Sequence, residues 1–225
     1  MKGTLLVVAT PIGNLEDITL RALRVLKEVD LIACEDTRET RKLLTHYDIK
    51  GKSLISFFEG NEARRIPGII DYLSQGKDIA LVSKAGTPGI SDPGYRLIER
   101  LIQEDIPINI IPGPCAAVSA LAISGLPTDS FFFKGFLPKR PGRRRRELEN
   151  LKDLKSTLIL YESPYRLKET LSYIKDILGE RKVVVVKELT KKFEQIWRGL
   201  ASSVLEEINK EEILRGEYVV MVEGA

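Results

Sequence analysis

Short apolar runs alternate with helical patterns along the first half of the chain. Between the runs, apolar residues recur at helical spacing, as in Ala22, Val25, Leu26 and Val29, and Asp17 is the predicted N-cap of that helix. This alternation is typical of a mostly parallel sheet with crossover helices. The predicted strands are residues 5–8, 31–33, 53–57, 79–82 and 108–111, and the later predicted helices are residues 37–46, 62–74 and 95–103.

The pattern changes after Pro114, where small residues predict a buried helix at 115–123. From there hairpin-like spacing mixes strands with helices, which predicts a second α/β domain with a mixed sheet. We therefore predict an N-terminal α/β domain over residues 1–113 and a C-terminal one over residues 114–225. The remaining predicted elements are strands at 131–136, 158–161, 183–186, 194–198 and 218–222 and helices at 143–154, 167–178 and 203–210.

The composition excludes several classes of protein. With 225 residues, 43% of them hydrophobic, the chain is long enough and apolar enough to fold. Two cysteines and one histidine make neither a disulfide framework nor a multi-histidine metal site, and we expect no metal. Residues 106–128 carry no charge, but their four prolines disfavour a membrane span. We expect a cytoplasmic protein.

The net charge of +3 conceals a local basic segment. Residues 134–146 hold seven basic side chains and no acidic one, which leaves the other 212 residues at −4. A basic patch on a mildly acidic body indicates a polyanionic partner such as RNA, although a solvated loop and helix start would look the same. The predicted RNA-binding residues are Lys139, Arg140, Arg143, Arg144, Arg145 and Arg146.

Three predicted strands of the first domain end in loops rich in proline and glycine. These loops are residues 10–14, 85–94 and 112–114. In an open α/β sheet the carboxyl ends of the strands form the ligand crevice, so we expect a ligand near Pro11, Gly13 and Gly113. Ordinary turns are the alternative. The loops match neither the dinucleotide nor the P-loop pattern, and S-adenosylmethionine, which has no phosphate, would fit.

Polar clusters follow three other strands. Glu35, Asp36 and Arg38 are the candidates for orienting or deprotonating a substrate group, although Asp36 with Glu39 also resembles a helix capping box. The segments at residues 161–166 and 188–191 could serve a ligand, or they could be a helix start capped by Ser163 and a polar turn.

Taken together, these motifs resemble a known family. In order they are Thr10-Pro11-Ile12-Gly13-Asn14-Leu15, Glu35-Asp36-Thr37-Arg38, Ala85-Gly86-Thr87-Pro88, Ser91-Asp92-Pro93-Gly94, Pro112-Gly113-Pro114, Tyr161-Glu162-Ser163 and Glu188-Leu189-Thr190-Lys191. Over nearly its whole length the chain resembles the ribosomal RNA small subunit methyltransferase I family of the tetrapyrrole-methylase superfamily.

The resemblance implies a fold, a reaction and a set of contacts. The implied fold has two α/β domains with S-adenosylmethionine in the cleft between them, usually in a homodimer. The implied reaction is 2′-O-methylation of a cytidine ribose in 16S rRNA of the 30S ribosomal subunit. The implied cofactor contacts are Gly86, Thr87, Pro88, Ser91, Asp92, Pro112, Gly113, Ala116, Ala117, Tyr161, Leu189 and Glu217.

Three features depart from the family pattern. Lys84 stands where the family usually has an aspartate, and we expect the reversed charge to weaken cofactor binding or catalysis unless the side chain points outward. Residues 57–62 lack the histidines often found there. The sequence ends at Ala225, whereas many members of the family continue into a small C-terminal domain, so we expect RNA docking to rest more heavily on the arginine run. A tetrapyrrole-type methyltransferase and a non-catalytic RNA-binding module are the alternative functions.

Overall fold

The computed structural model describes residues 2–225, which divide into two compact units between Cys115 and Ala116. Each unit has its own five-stranded sheet with flanking helices. The α/β class predicted from the sequence is therefore confirmed, and the predicted division at residues 113 and 114 stays a prediction. Within residues 2–225, no helix is long and apolar enough to span a membrane.

The first unit contains a fully parallel sheet in the order β3-β2-β4-β1-β5. Its strands alternate with helices along the chain, as the apolar pattern predicted. The elements are β1 (Leu5–Val8), α1 (Leu20–Glu28), β2 (Leu31–Cys34), α2 (Thr37–His46), β3 (Ser53–Ser56), α3 (Glu62–Ser74), β4 (Ile79–Val82), α4 (Tyr95–Gln103) and β5 (Ile108–Ile111).

The helices of the first unit cover both faces of its sheet. Helices α1 and α2 pack with Val8, Ile32 and Val82 on one face, whereas α3 and α4 pack with Val7 and other strand residues on the opposite face. Strands β1 and β4 are neighbours in the sheet. The chain that follows β1 leads to β2 on one side of this pair, and the chain that follows β4 leads to β5 on the other side. The loops after β1 and β4 therefore lie at the point where an open sheet binds its ligand.

The start of α1 differs from the sequence prediction. Asp17 lies in a 3₁₀ turn (Leu15–Asp17), and the N-cap is Thr19, whose Oγ1 accepts the N–H of Ala22 at 3.0 Å. Ile18 keeps an extended backbone, so the helix cannot begin before Leu20. The prediction of Asp17 as the cap is therefore wrong.

The second unit contains a mixed sheet in the order β6-β7-β10-β8-β9. Strands β6 and β7 are parallel, and the other neighbouring pairs are antiparallel. The elements are α5 (Ala116–Ala122), β6 (Phe131–Phe136), α6 (Pro141–Asn150), β7 (Thr157–Glu162), α7 (Leu167–Tyr173), a π-helical turn (Ile174–Leu178), β8 (Lys182–Lys187), β9 (Gln195–Leu200), α8 (Ala201–Lys210) and β10 (Tyr218–Val222).

One edge of the second sheet collects most of its polar motifs. Strands β6, β7 and β8 end at this edge, and β9 and β10 begin there, because β9 and β10 run antiparallel to the others. Pairing aligns Phe136 with Tyr161, and Tyr218 with both Glu162 and Lys187. We call this the loop edge, and its loops are residues 137–140, 163–166 and 188–194.

Candidate active site

The three proline-glycine loops of the first unit come together at the carboxyl end of its sheet. Thr10 and Gly86 exchange two backbone hydrogen bonds, at 2.9 and 3.0 Å, which join the loops after β1 and β4. Thr87 Oγ1 donates to the carbonyl of Pro114 at 3.1 Å, which joins the loop after β5. The structure thus brings together the loops that the sequence placed at one crevice.

Backbone conformation at Gly86 and close packing at Gly113 favour glycine in these loops. Gly86 has φ +81°, and a Cβ atom there would lie 3.4 Å from Cγ2 of Ile12. A Cβ atom on Gly113 would lie 3.1 Å from Cβ of Ala9. Beside them Thr10 is buried, and its Oγ1 has no hydrogen-bond partner within the described chain. Glycine at these positions allows a ligand to approach the backbone of the loops closely.

Asp36 is the N-cap of α2. Its Oδ1 accepts the N–H groups of Arg38 and Glu39 at 2.8 and 3.2 Å. These two hydrogen bonds hold the pKa of the Asp36 carboxyl below its usual range. The predicted cap is confirmed, but Glu39 does not complete the reciprocal box and instead contacts Lys42 at 2.7 Å. A carboxylate with a lowered pKa is a weaker proton acceptor.

Glu35 and Lys84 connect the loops after β2 and β4. Oε2 of Glu35 accepts the backbone N–H of Lys84 at 3.0 Å. The side chain of Lys84 is exposed, as is that of Arg38. The charge that departs from the family pattern therefore lies at the solvent-facing rim of the first unit.

At the loop edge of the second unit, Lys191 contacts two carboxylates. Its Nζ lies 2.9 Å from Oε1 of Glu188 and 2.9 Å from Oε2 of Glu217. Burial opposes ionisation of Glu188, but Lys191 and the N–H of Glu217 outweigh it and hold its pKa below the usual value. Glu188 and Thr190 both have positive φ, so this ion-pair cluster surrounds a backbone held in an unusual conformation around Leu189.

Tyr161 lies at the same edge and contacts the first turn of α5. Its hydroxyl accepts the N–H of Ala117 at 3.2 Å. Its ring makes edge-to-face contacts with Phe133 and Phe136, with centroids 5.0 and 5.7 Å away. Tyr161, Leu189 and Glu217, which the family resemblance implies as cofactor contacts, thus lie at the loop edge, and Ala117 lies on the helix that Tyr161 contacts.

The side chain of Glu162 belongs to a buried network of an ion pair and hydrogen bonds. It is buried, its Oε1 lies 2.7 Å from Nη2 of Arg166, and its Oε2 accepts the hydroxyl of Thr170 at 2.6 Å. The suggested N-cap at Ser163 is wrong, because α7 begins at Leu167 and Oγ of Ser163 accepts from Nε of Arg166. The sequence did not identify this network, although Glu162 and Arg166 stand four residues apart.

The basic segment divides into exposed and buried residues. Arg144 is only 1% exposed, with Nη2 2.9 Å from Oε2 of Glu169 and Nη1 3.3 Å from the hydroxyl of Thr170. The prediction that Arg144 binds RNA is therefore corrected, since its guanidinium belongs to the interior. The basic residues that remain exposed are Lys139, Arg140, Arg143, Arg145 and Arg146.

The exposed arginines surround the start of α6. Arg140 occupies the N-cap position without a side-chain cap, and the first turn contains no acidic residue. Positive side chains near a helix N-terminus repel the positive end of the helix dipole. A bound anion would relieve that repulsion, so the arrangement favours a phosphate-bearing partner over a solvated face.

Comparison with protein families gives a match over most of the chain. The model described as Tetrapyrrole (Corrin/Porphyrin) Methylases matches residues 4–205. Proteins named ribosomal RNA small subunit methyltransferase I are also similar. The one from Halalkalibacterium halodurans is 53% identical over 99% of this chain and 76% of its own length. The one from Thermotoga maritima is 49% identical over 99% of both chains.

Solved structures share the fold at low sequence identity. A cobalt precorrin-4 methyltransferase has a TM-score of 0.70 at 18% identity and covers 98% of this chain and 94% of its own. Uroporphyrin-III C-methyltransferase from Thermus thermophilus, complexed with S-adenosyl homocysteine, has a TM-score of 0.66 at 17% identity, covering 97% and 96%. With the full-length relatives, these matches show that the chain belongs to the tetrapyrrole methylase family and, within it, to the ribosomal RNA small subunit methyltransferase I family.

Proposed function

We propose that this chain is an S-adenosylmethionine-dependent methyltransferase that methylates the 2′-oxygen of a cytidine ribose in 16S rRNA of the small ribosomal subunit. The observation that carries the proposal is the 46–53% identity, over 97–99% of the chain, to proteins named ribosomal RNA small subunit methyltransferase I. The exposed basic residues before and along α6 support a nucleic-acid substrate. We also propose that the protein is a homodimer and that it is located in the cytoplasm.

The proposed cofactor contacts come from loops that present backbone groups. S-adenosylmethionine supplies a methyl group that its sulfonium already activates. Glycines at the ligand-facing loops let the backbone approach a ligand closely, and prolines fix the shape of those loops. In the first unit the contacts are Pro11, Gly13, Gly86, Thr87, Pro88, Ser91, Asp92, Pro112 and Gly113, and in the second they are Ala116, Ala117, Tyr161, Leu189 and Glu217.

The residues of the Glu35 cluster are proposed to orient the substrate more than to deprotonate it. Asp36 is committed to the start of α2 and has a lowered pKa, which makes it a weak base. Glu35 holds the backbone of Lys84 and so fixes the loop that leads to Gly86. Arg38 is exposed and is proposed to contact the RNA beside the reacting ribose. Alignment of the hydroxyl can supply much of the acceleration.

Methyl transfer to ribosomal subunits tests the proposal directly. Purified protein is incubated with labelled S-adenosylmethionine and 30S subunits from a strain that lacks the enzyme, and 2′-O-methylation is then mapped. We expect one methylated cytidine in 16S rRNA, and calorimetry should show one cofactor bound per chain. Preferential methylation of a tetrapyrrole would favour the alternative, and cofactor-independent RNA binding without transfer would favour the non-catalytic module.

Substitution of Glu35 separates a positioning role from a catalytic base. Glutamine keeps an oxygen that can accept the N–H of Lys84, so E35Q should bind the cofactor within about threefold of the parent. E35A removes the acceptor and should weaken cofactor binding by about tenfold. Calorimetry measures both affinities, and single-turnover methyl transfer measures chemistry. A base role is indicated instead if E35Q abolishes transfer while cofactor affinity is unchanged.

A further inference from the structure

The three strands that end at the loop edge, β6, β7 and β8, each have an exposed aromatic residue at their last position or in the loop that follows. Phe136 ends β6 and is 54% exposed, Tyr165 follows β7 and is 95% exposed, and Phe193 follows β8 and is 70% exposed. Large apolar side chains exposed together in this way mark a binding surface more often than isolated ones do. The proposed cofactor contacts do not include any of the three.

The register of the sheet places these loops along one line. Phe136 pairs with Tyr161, the neighbouring Glu162 pairs with Tyr218, and Tyr218 pairs with Lys187 on its other side. Neighbouring strands are about 4.8 Å apart, so three steps from β6 to β8 span roughly 14 Å. The end of β6 with Phe136 and the loops that hold Tyr165 and Phe193 therefore lie along one end of the sheet, over a length that several consecutive nucleotides could follow.

Positive charge accompanies the aromatic rings. Lys139 and Arg140 are exposed and follow Phe136 closely in the chain. Nζ of Lys192 lies 5.6 Å from the ring centroid of Phe193. The carboxylates of Glu188, Glu194 and Glu217 lie at the same edge. Glu188 and Glu217 contact Lys191, and Oε2 of Glu194 accepts the N–H of Thr190, which reduces their repulsion of an anion. Aromatic rings interleaved with basic side chains fit the bases and phosphates of a single nucleic-acid strand.

We propose that Phe136, Tyr165 and Phe193 form a stacking strip that holds unpaired bases of the RNA substrate. The proposal rests on the proposed function and adds a substrate class, single-stranded RNA in which bases are splayed out. Bases inside a duplex cannot reach such rings, whereas loops and bulges can offer them. Phe136 is braced by the ring of Tyr161, with centroids 5.7 Å apart, so little ring mobility is lost when a base stacks.

Binding of a short single-stranded oligoribonucleotide of 16S sequence, labelled with 2-aminopurine, tests the strip in the full-length protein. Fluorescence quenching reports stacking, and anisotropy reports affinity. F136A, Y165A and F193A should each weaken binding roughly fivefold or more, because stacking on one ring contributes at least that much. Y165F keeps the ring and should bind like the parent. The same oligonucleotide annealed to its complement should bind more weakly than the single strand.

Two exposed aromatic residues away from the loop edge provide matched controls. Phe131 lies at the other end of β6 and is 44% exposed, and Tyr95 is exposed on α4 of the first unit. F131A and Y95A should leave RNA affinity unchanged. The salt dependence of binding should also be the same in the parent and in the aromatic variants, because uncharged rings release no counterions.

Three results would overturn the stacking strip. These are unchanged affinity and quenching in all three aromatic variants, equal losses in the controls, and conversion of a dimeric parent to a monomer by F136A. The last result would identify the strip as a contact with a second copy of the chain. The binding assays do not measure methyl transfer. The stacking strip can therefore be disproved while 30S subunits are still methylated, and the proposed methylation can be disproved while the aromatic residues still bind RNA.

Discussion

Replacing Arg144 with alanine is expected to lower the free energy of unfolding by about 3 kcal/mol, whereas R143A should change it by less than about 0.5 kcal/mol. The two residues are neighbours in the same helix and carry the same charge. Arg144 is buried, and Arg143 is exposed. The difference in stability therefore depends on burial and contacts and not on the loss of one positive charge.

The large effect has a defined structural origin. Arg144 donates to Glu169 and to Thr170, and Thr170 in turn donates to the buried carboxylate of Glu162. R144A leaves a cavity and removes a hydrogen-bond donor from the fully buried hydroxyl of Thr170, and both changes are costly, whereas the loss at Glu169 is smaller because that side chain is partly exposed. R144K should be intermediate, because one ammonium group cannot span Glu169 and Thr170 as a guanidinium does.

Urea denaturation of the parent, R144A, R144K and R143A measures these differences. The unfolding midpoint should fall most for R144A, less for R144K, and hardly at all for R143A. Equal midpoints for R144A and R143A would contradict the buried network and would return Arg144 to the exposed, RNA-facing set.

Much of the fold could be predicted because buried parallel strands leave a plain signal. The apolar runs at Leu5–Val8 and Ile79–Val82 are buried on both faces, so each appears as a continuous run between polar helices. The proline-glycine loops could also be predicted, because glycine and proline mark the carboxyl ends of those strands. The Thr10–Gly86 pairing is a contact between residues distant in sequence, and no local pattern encodes it.

Residues whose role depends on tertiary partners were harder to predict. The sequence predicts RNA binding for Arg144 together with the other arginines, because the segment is uniformly basic. Its helical position shows otherwise, since Arg144, Leu148 and Leu151 follow the spacing of one helix face and that face packs on the core. The N-cap of α1 could not be predicted because two good cap residues, Asp17 and Thr19, stand close together. The extended backbone of Ile18 decides between them, and no sequence pattern shows it.

The exposed arginines should control the salt dependence of RNA binding. In R140A/R143A/R146A, three exposed guanidinium groups near the start of α6 are removed, while the buried Arg144 stays. Each phosphate contact on a single strand contributes about −0.7 to the slope of log K against log salt, so three lost contacts should flatten the slope by about 2. Cofactor affinity should be unchanged, because these residues are not among the proposed cofactor contacts.

A matched variant separates local contacts from net charge. R21A/R24A/K27A removes three exposed basic residues from α1 of the first unit, so both triple variants lose the same formal charge. If phosphates contact the start of α6, only R140A/R143A/R146A should flatten the slope, as measured by anisotropy of a single-stranded oligoribonucleotide over a salt series. If both variants flatten it equally, the protein attracts RNA through its overall charge, and the assignment of RNA binding to α6 is wrong.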